Sequence, residues 1–332
     1  TPASGSTGAT VVLNGDLQFT GNVTPVVRLG GSLATISGAA TNTATSITLS
    51  DAGVSGKFSV TNHGLTGFSK TFRRTFVSSQ VIDNTSFAAS VDFAIGFSPR
   101  AGLEVSDFND DGMPEIVYED TNGASVLQNS GTAGQTLSGT SFTDLANHFS
   151  AGIGAHVVDV DGDGKLDLAT AYGLARNASS GAAVSFESLV YSNANSFTGA
   201  TSADINKDGK LDIIAVAGGN NVYVFENLSI AGSFPANGNY APFPTSAVLF
   251  AKPSTYGGVV AEDFDGDGYE DVIATNPGTS NLTFLLNTQQ PFAINSGSLN
   301  FLGNYSTAGV TPEWITANDF DGDGKTDIAV TY

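Results

Sequence analysis

The chain has 332 residues, no cysteine and a formal net charge of -20, from 12 Lys and Arg against 32 Asp and Glu. This balance excludes disulfides and thiol chemistry, and it argues against nucleic acid as a partner, because phosphate contacts need basic side chains. There is no apolar run of about 18 residues to span a membrane as a helix, while 40% hydrophobic residues and 22 Phe can build a core that a disordered polyanion lacks.

Gly, Ser, Thr, Asn, Val and Phe dominate, which favours short strands and tight turns over helices. In residues 1–78 the predicted strands are Ala9-Thr-Val-Val-Leu, Pro25-Val-Val-Arg-Leu, Ser46-Ile-Thr-Leu, Gly56-Lys-Phe-Ser-Val and Thr71-Phe-Arg-Arg-Thr-Phe. They read as a β-sandwich ending near Val77-Ser-Ser-Gln.

Residues 79–332 repeat. Five segments align without gaps: Asp107-Phe-Asn-Asp-Asp-Gly-Met-Pro-Glu115, Asp159-Val-Asp-Gly-Asp-Gly-Lys-Leu-Asp167, Asp204-Ile-Asn-Lys-Asp-Gly-Lys-Leu-Asp212, Asp263-Phe-Asp-Gly-Asp-Gly-Tyr-Glu-Asp271 and Asp319-Phe-Asp-Gly-Asp-Gly-Lys-Thr-Asp327. Each is preceded by an apolar stretch such as His156-Val-Val and followed by an apolar strand such as Ile213-Ile-Ala-Val. A third strand follows a turn, as in Ser125-Val-Leu-Gln-Asn, Asn221-Val-Tyr-Val-Phe-Glu-Asn and Asn281-Leu-Thr-Phe-Leu-Leu-Asn. A fourth is expected before the next loop, as in Ser90-Val-Asp-Phe-Ala. A unit of roughly 50 residues suits a four-stranded propeller blade. The fifth unit stops in mid-pattern at Tyr332; either the native chain continues or strands near residues 80–97 complete the last blade.

The spacing of the loop points to a hard cation. Oxygen-bearing side chains stand at positions 1, 3 and 5: Asp107, Asn109, Asp111; Asp159, Asp161, Asp163; Asp204, Asn206, Asp208; Asp263, Asp265, Asp267; Asp319, Asp321, Asp323. In a curled loop alternate side chains converge, and Gly at position 6 permits the turn. Position 7 (Met113, Lys165, Lys210, Tyr269, Lys325) can offer its backbone carbonyl, and the acid at position 9 (Glu115, Asp167, Asp212, Asp271, Asp327) closes the shell. All-oxygen anionic ligand sets suit Ca²⁺. About five Ca²⁺ would halve the formal charge and stabilise the fold. Asn109 and Asn206 are neutral, so their sites are expected to be weaker. An EF-hand is excluded because position 12 is Tyr118, Thr170, Ala215, Ala274 or Val330 rather than Glu. The apolar position 2 (Phe108, Val160, Ile205, Phe264, Phe320) is expected to pack in the core.

These loops and strands resemble FG-GAP/VCBS repeats, the units of the integrin α-subunit propeller and of many bacterial surface proteins. The resemblance implies an all-β propeller, usually seven-bladed, with calcium ligands at positions 1, 3, 5, 7 and 9. Residues 1–78 resemble an IPT/TIG domain, an immunoglobulin-like sandwich, through Pro2-Ala-Ser-Gly-Ser-Thr-Gly-Ala-Thr-Val and Gly56-Lys-Phe-Ser-Val-Thr-Asn-His-Gly-Leu. Together they look like secreted surface proteins of bacteria.

No catalytic motif accompanies them. His63, His148 and His156 have no metal or triad spacing, and Glu104, Glu187, Glu226 and Glu313 are acids with no evident pairing. His156 is expected to be a packed strand residue. Trp314 and Tyr256 precede calcium loops and could stack on sugars or pack between blades. Six Asn-x-Ser/Thr sites (Asn22, Asn84, Asn177, Asn227, Asn281, Asn304) are potential glycan acceptors. The expected function is a non-enzymatic, secreted or cell-surface adhesion or ligand-binding module whose partner is a protein or glycan. A propeller lectin, a structural surface or filament protein that self-associates through the incomplete blade, and a hydrolase with its catalytic domain outside this chain are the alternatives.

Overall fold

A computed structural model describes residues 4–5, 10–14, 25–29, 32–37, 44–48, 56–62, 65–74, 89–93, 95, 99–120, 123–132, 135–145, 149, 155–170, 173–187, 197–217, 221–229, 248–251, 257–289, 293–321, 323 and 325–332. Apart from one short 3-10 turn, Pro277–Thr279, every regular element among them is a strand. His63, His148, Tyr256, Asn22, Asn84 and the expected boundary near residue 77 lie outside the described residues.

The N-terminal strands are β1 (Ser4–Gly5), β2 (Thr10–Asn14), β3 (Val26–Leu29), β4 (Ser32–Leu33), β5 (Thr35–Ile36), β6 (Ala44–Thr48), β7 (Gly56–Asn62) and β8 (Leu65–Arg74). They form two sheets, ordered β1-β8-β7-β3-β4 and β2-β6-β5. Alternate residues of both sheets, Val11, Leu13, Val27, Leu29, Ile47 and Phe58, meet in one apolar core. The sequence placed most of these strands but not the short β1, β4 and β5, or the first half of β8.

The repeats are antiparallel meanders. The first is β9 (Pro99–Ser106), β10 (Glu115–Asp120), β11 (Gly123–Asn129) and β12 (Phe142–Asp144); the second is β13 (His156–Val158), β14 (Asp167–Thr170) and β15 (Gly173–Ala175). The third is β16 (Phe197–Ala203), β17 (Asp212–Ala217), β18 (Asn221–Phe225) and β19 (Val248–Ala251). The fourth is β20 (Val259–Glu262), β21 (Asp271–Asn276), β22 (Asn281–Asn287) and β23 (Leu299–Ser306); the fifth is the pair β24 (Ile315–Asn318) and β25 (Asp327–Val330). First strands of successive repeats neighbour one another, β9 to β13, β13 to β16, β16 to β20 and β20 to β24.

The core lies between repeats rather than within them. Phe108, Val117 and Val126 of the first pack with Leu168 and Ala175 of the second. Val158, Val160 and Leu174 pack with Ile213 and Phe225 of the third, and Ile205, Ile214 and Val224 with Val272 and Leu285 of the fourth. Each sheet therefore buries both faces only when a neighbour is present, which explains why its strands read as runs of Val, Ile, Leu and Ala. Ser90-Val-Asp-Phe-Ala is corrected: residues 90–93 form no strand. Phe93 instead packs edge-on against Phe142 of β12, with ring centroids 4.9 Å apart.

The N-terminal sheets dock on the first two loops. Arg28 is 3% exposed. Its Nε and Nη2 donate to the Gly164 carbonyl at 3.1 and 2.8 Å, and Nη2 pairs with Asp110 Oδ1 at 2.8 Å. Thr61 donates to Asp159 Oδ2 at 3.3 Å. Gly164 and Gly268 occupy the same loop position with nearly the same φ, +89° and +92°. A Cβ on Gly164 would overlap the Val26 side chain, whereas one on Gly268 meets nothing within 4 Å. Gly268→Ala is therefore expected to cost only the left-handed strain, about 1–2 kcal/mol. Gly164→Ala should cost roughly twice that or more, because Val26 must also move. Denaturant melts of the two variants check this; equal losses would mean that Val26 does not rest on Gly164.

Candidate metal centres

Every loop stands between the first and second strands of its repeat, so a hairpin fixes both of its ends. Inside it, side chains cap backbone N–H groups in a repeated order. The position-1 carboxylate accepts from the N–H of position 6: Asp107 from Gly112, Asp159 from Gly164, Asp204 from Gly209 and Asp263 from Gly268, at 2.9–3.1 Å. Position 3 (Asn109, Asp161, Asn206, Asp265, Asp321) accepts from the N–H of position 5 at 3.0–3.2 Å. Position 5 (Asp111, Asp163, Asp208, Asp267, Asp323) accepts from the N–H of Met113, Lys165, Lys210, Tyr269 or Lys325 at 2.8–3.0 Å. The curl needs two left-handed residues, not one: position 6, and also position 4, where Asp110, Gly162, Lys207 and Gly266 have φ of 58°, 66°, 56° and 82°.

The acid at position 9 opens the second strand and closes the loop. Its two oxygens accept from the N–H of position 2 and from that of an asparagine at the end of the third strand. Asp212 Oδ2 takes Ile205 at 3.0 Å and Oδ1 takes Asn227 at 2.8 Å. Glu115, Asp167 and Asp271 do the same with Phe108 and Asn129, Val160 and Asn177, and Phe264 and Asn287. Asp327 accepts from Phe320 at 3.0 Å.

Among the described residues, three sets of carboxylates bring oxygens within 4.8 Å of one another: Asp159, Asp161 and Asp167; Asp263, Asp265 and Asp271; Asp319, Asp321 and Asp327. These acidic clusters could hold metal ions. Their electrostatics are costly without one. Burial, and then the neighbouring carboxylates Asp163 and Asp161, push Asp159 up to about 7. Burial pushes Glu115 up to about 7, and Asp204 and Asp271 up to about 6. It also raises Asp107 and Asp161, and holds Asp167 and Asp212 well above the usual carboxylate range. Asp159 Oδ1 is buried with no hydrogen-bond partner among the described residues. An anionic oxygen in that state, beside two more carboxylates, fits a hard divalent cation.

Several residues here were missed by the sequence reading. Asn177 Nδ2 donates to its own Leu166 carbonyl and to the Phe108 carbonyl of the preceding loop. Asn227 does this with Leu211 and Val160, and Asn287 with Glu270 and Ile205. These asparagines interlock consecutive repeats at the position-2 backbone. Asn177 and Asn227, counted among the glycan acceptors, are buried and fully engaged, so neither can carry a sugar in the folded chain. At position 2 itself Phe108, Val160 and Ile205 are buried as expected; Phe320, in the last repeat, is 52% exposed.

Three of the four acids without evident pairing in the sequence have side-chain partners in the structure. Glu226 accepts from Asn206 Nδ2, and Glu187 lies 3.6 Å from Arg176, whose guanidinium also reaches Asp161 and Asp163. Glu104 Oε1 lies 3.0 Å from His156 Nδ1 while Oε2 accepts the Val157 N–H; His156 Nε2 lies 3.0 Å from Ser202 Oγ. This chain links β9, β13 and β16 and faces a cavity of about 340 Å³ that Arg28, Thr61, Asp159 and Glu262 also line. The signal for it is positional: Glu104 and His156 each stand three residues before their loop.

A sequence model of the FG-GAP-like repeat matches residues 107–170, 204–274 and 263–330, more than half of the chain. A comparison with curated protein sequences finds no match. Among solved structures, the V. cholerae biofilm matrix protein Bap1 is similar at 13% identity and TM-score 0.40, over 94% of this chain and 41% of that one. An Agrocybe aegerita lectin that recognises non-reducing terminal N-acetylglucosamine is similar at 18% identity and TM-score 0.41, over 70% of this chain and 61% of that one. A Bacteroides thetaiotaomicron protein described as a putative phosphatase is similar at 15% identity and TM-score 0.38, over 99% and 79%. The chain thus spans less than two thirds of the first two structures.

Proposed function

The chain belongs to the FG-GAP-like repeat family, and from that premise we propose that it is an extracellular adhesion or ligand-binding module whose fold is held by calcium. The observation that carries this reading is the carboxylate cage that recurs at the same hairpin of the second, fourth and fifth repeats. Calcium would be bound by the side chains at positions 1, 3, 5 and 9 and by the carbonyl of position 7. It would supply fixed positive charge where buried carboxylates otherwise repel, stiffening each hairpin and spacing the repeats. Residues 1–78 form the IPT/TIG-like part and residues 79–332 the propeller part in this reading. A partner, protein or glycan, meets loops or the aromatic side chains left exposed in the last two repeats, among them Phe301, Tyr305 and Trp314.

We read the Glu104–His156–Ser202 chain as a tie between repeats, not as catalytic machinery. Ser202 sits inside the regular β16–β17 ladder, opposite Ile213, rather than on the exposed strand-to-helix turn that presents a nucleophile in acyl-transfer enzymes. The protein is expected to stay unlabelled by a fluorophosphonate probe, whereas modification of Ser202 would make it a hydrolase. The binding function is tested on a glycan array and by capture on cell-surface extracts, each with calcium and with chelator. Calcium-dependent retention of a defined glycan would favour the lectin form, and retention by protein alone the adhesion form. Indifference to calcium in both, with no metal bound, would remove the basis of the proposal.

A further inference from the structure

The residue before the asparagine that ends the third strand differs among the repeats: Gln128, Arg176, Glu226 and Leu286. In the second repeat this side chain turns into its own loop. Arg176 Nε donates to Asp161 Oδ2 and Nη2 to Asp163 Oδ2, both at 2.7 Å. The other oxygen of each carboxylate already accepts a backbone N–H, from Asp163 and Lys165. The guanidinium therefore bridges positions 3 and 5 through the oxygens those bonds leave over.

We propose that Arg176 is a tethered cation that competes with calcium for the second loop and makes it a weaker site than the other two three-carboxylate loops. The inference rests on the calcium reading above. A planar guanidinium fits two carboxylates at once, and its attachment to the third strand gives it a high local concentration that no dissolved ion shares. The rest of the loop is closed in by protein. Thr61 and Gly164 N–H hold Asp159 Oδ2, Arg28 holds the Gly164 carbonyl, and Gly164 lies under Val26. The fourth loop is open by contrast, with Asp265 and Asp267 exposed, and the group on Asp267 Oδ2 is the neutral amide of Gln289. The buried Asp159 Oδ1 keeps the second loop attractive to an ion, so the site is weakened and not lost. Glu187 lies 3.6 Å from Arg176 Nη1 and is half-exposed, which gives the guanidinium an acid to hold when an ion displaces it.

The test is a calcium titration by calorimetry, with ions counted by native mass spectrometry, on the whole chain and three variants. Arg176→Leu installs the residue of the fourth repeat and Arg176→Gln that of the first. Arg176→Lys keeps the charge and loses the fork. All are purified in calcium, so that none has to fold with bare carboxylates. Wild type is expected to bind at the second loop more weakly than at the fourth and fifth. Leu and Gln should tighten the second-loop site about tenfold to a hundredfold, the scale of one charge removed at a few ångströms, while Lys leaves it weak. Isotherms unchanged in the Leu and Gln variants would overturn the role of Arg176 while leaving the calcium reading intact. A wild-type chain that binds no calcium would overturn both. Asp265→Asn, in the fourth loop, should instead lose or weaken a strong site, which keeps the two classes separate.

Discussion

Stripping divalent cations with excess chelator at pH 7.5 is expected to lower the melting temperature by more than about 10 °C, and the loss should shrink steadily as the pH falls toward 5. The size follows from linkage. An ion at a thousand times its dissociation constant stabilises the folded state by about 4 kcal/mol per site, and each kcal/mol is worth about 2–4 °C in a domain of 150–250 residues. Several sites acting together therefore exceed 10 °C even if some are weak. The pH dependence follows from the raised carboxylates. Asp159 and Glu115 titrate near 7 in the folded chain and Asp204 and Asp271 near 6, all above the ordinary carboxylate range. Between about pH 4 and pH 7 the metal-free folded state thus holds more protons than the unfolded state. Stability of the metal-free protein falls as pH rises through that window, and the full penalty stands above it. Calcium needs the deprotonated form, so its contribution grows over the same window and its binding releases protons. Melts at pH 5, 6 and 7.5, with calcium and with chelator, read both effects. A chelator effect that is flat with pH would place the ions elsewhere than on these acids.

The loops were legible in the sequence because their chemistry is local. Alternating acids, a glycine for the turn and a strand on either side all fall within about 15 residues, and five copies repeat them. The strands were legible for a related reason: a sheet buried on both faces leaves continuous runs of Val, Ile and Ala, as in β17 and β21. What failed to show were groups that reach a loop from far along the chain. Arg28 is over a hundred residues from the Gly164 carbonyl it holds, and no periodicity marks it. Arg176 is closer, but it stands where the other repeats carry Gln, Glu and Leu, so alignment of the repeats hides it. Left-handed geometry at position 4 was masked in the same way, because Asp110 and Lys207 adopt it without being glycine. Two of the interlocking asparagines, Asn227 and Asn287, were on view at the ends of quoted strands. In a chain rich in Asn, Ser and Thr they looked like composition, and the serines after Asn177 and Asn227 made them look like glycan acceptors.

Those asparagines are expected to be among the most costly single positions in the chain. Asn227 is 3% exposed. Its Nδ2 donates to the Val160 and Leu211 carbonyls at 2.8 and 2.9 Å, and its Oδ1 accepts the Ser229 N–H at 2.9 Å. Asn227→Ala removes all three bonds and leaves their backbone partners in a site that excludes water. At about 1–3 kcal/mol for each buried group left unpaired, the loss is about 3–9 kcal/mol. Ser229 Oγ also donates to Val160 O at 3.0 Å, so that carbonyl keeps one donor and the lower half of the range is the better expectation. The damage should not stay local. Val160 is position 2 of the second loop and packs against Phe225 and Ile213 of the third repeat, so the variant loosens the seam between two sheets that bury each other's faces. Because the Asn227 N–H is also one of the two that fix Asp212, the third loop should lose calcium affinity along with stability. Asn300→Ala, on an exposed face of β23, is the control and should change stability by less than about 0.5 kcal/mol. Hydrogen exchange across the second and third repeats separates the possibilities. Faster exchange in both, with the N-terminal sheets unchanged, is the signature of a broken seam. Faster exchange confined to residues near 227 would mean that each sheet stands alone and that the asparagine only trims a turn.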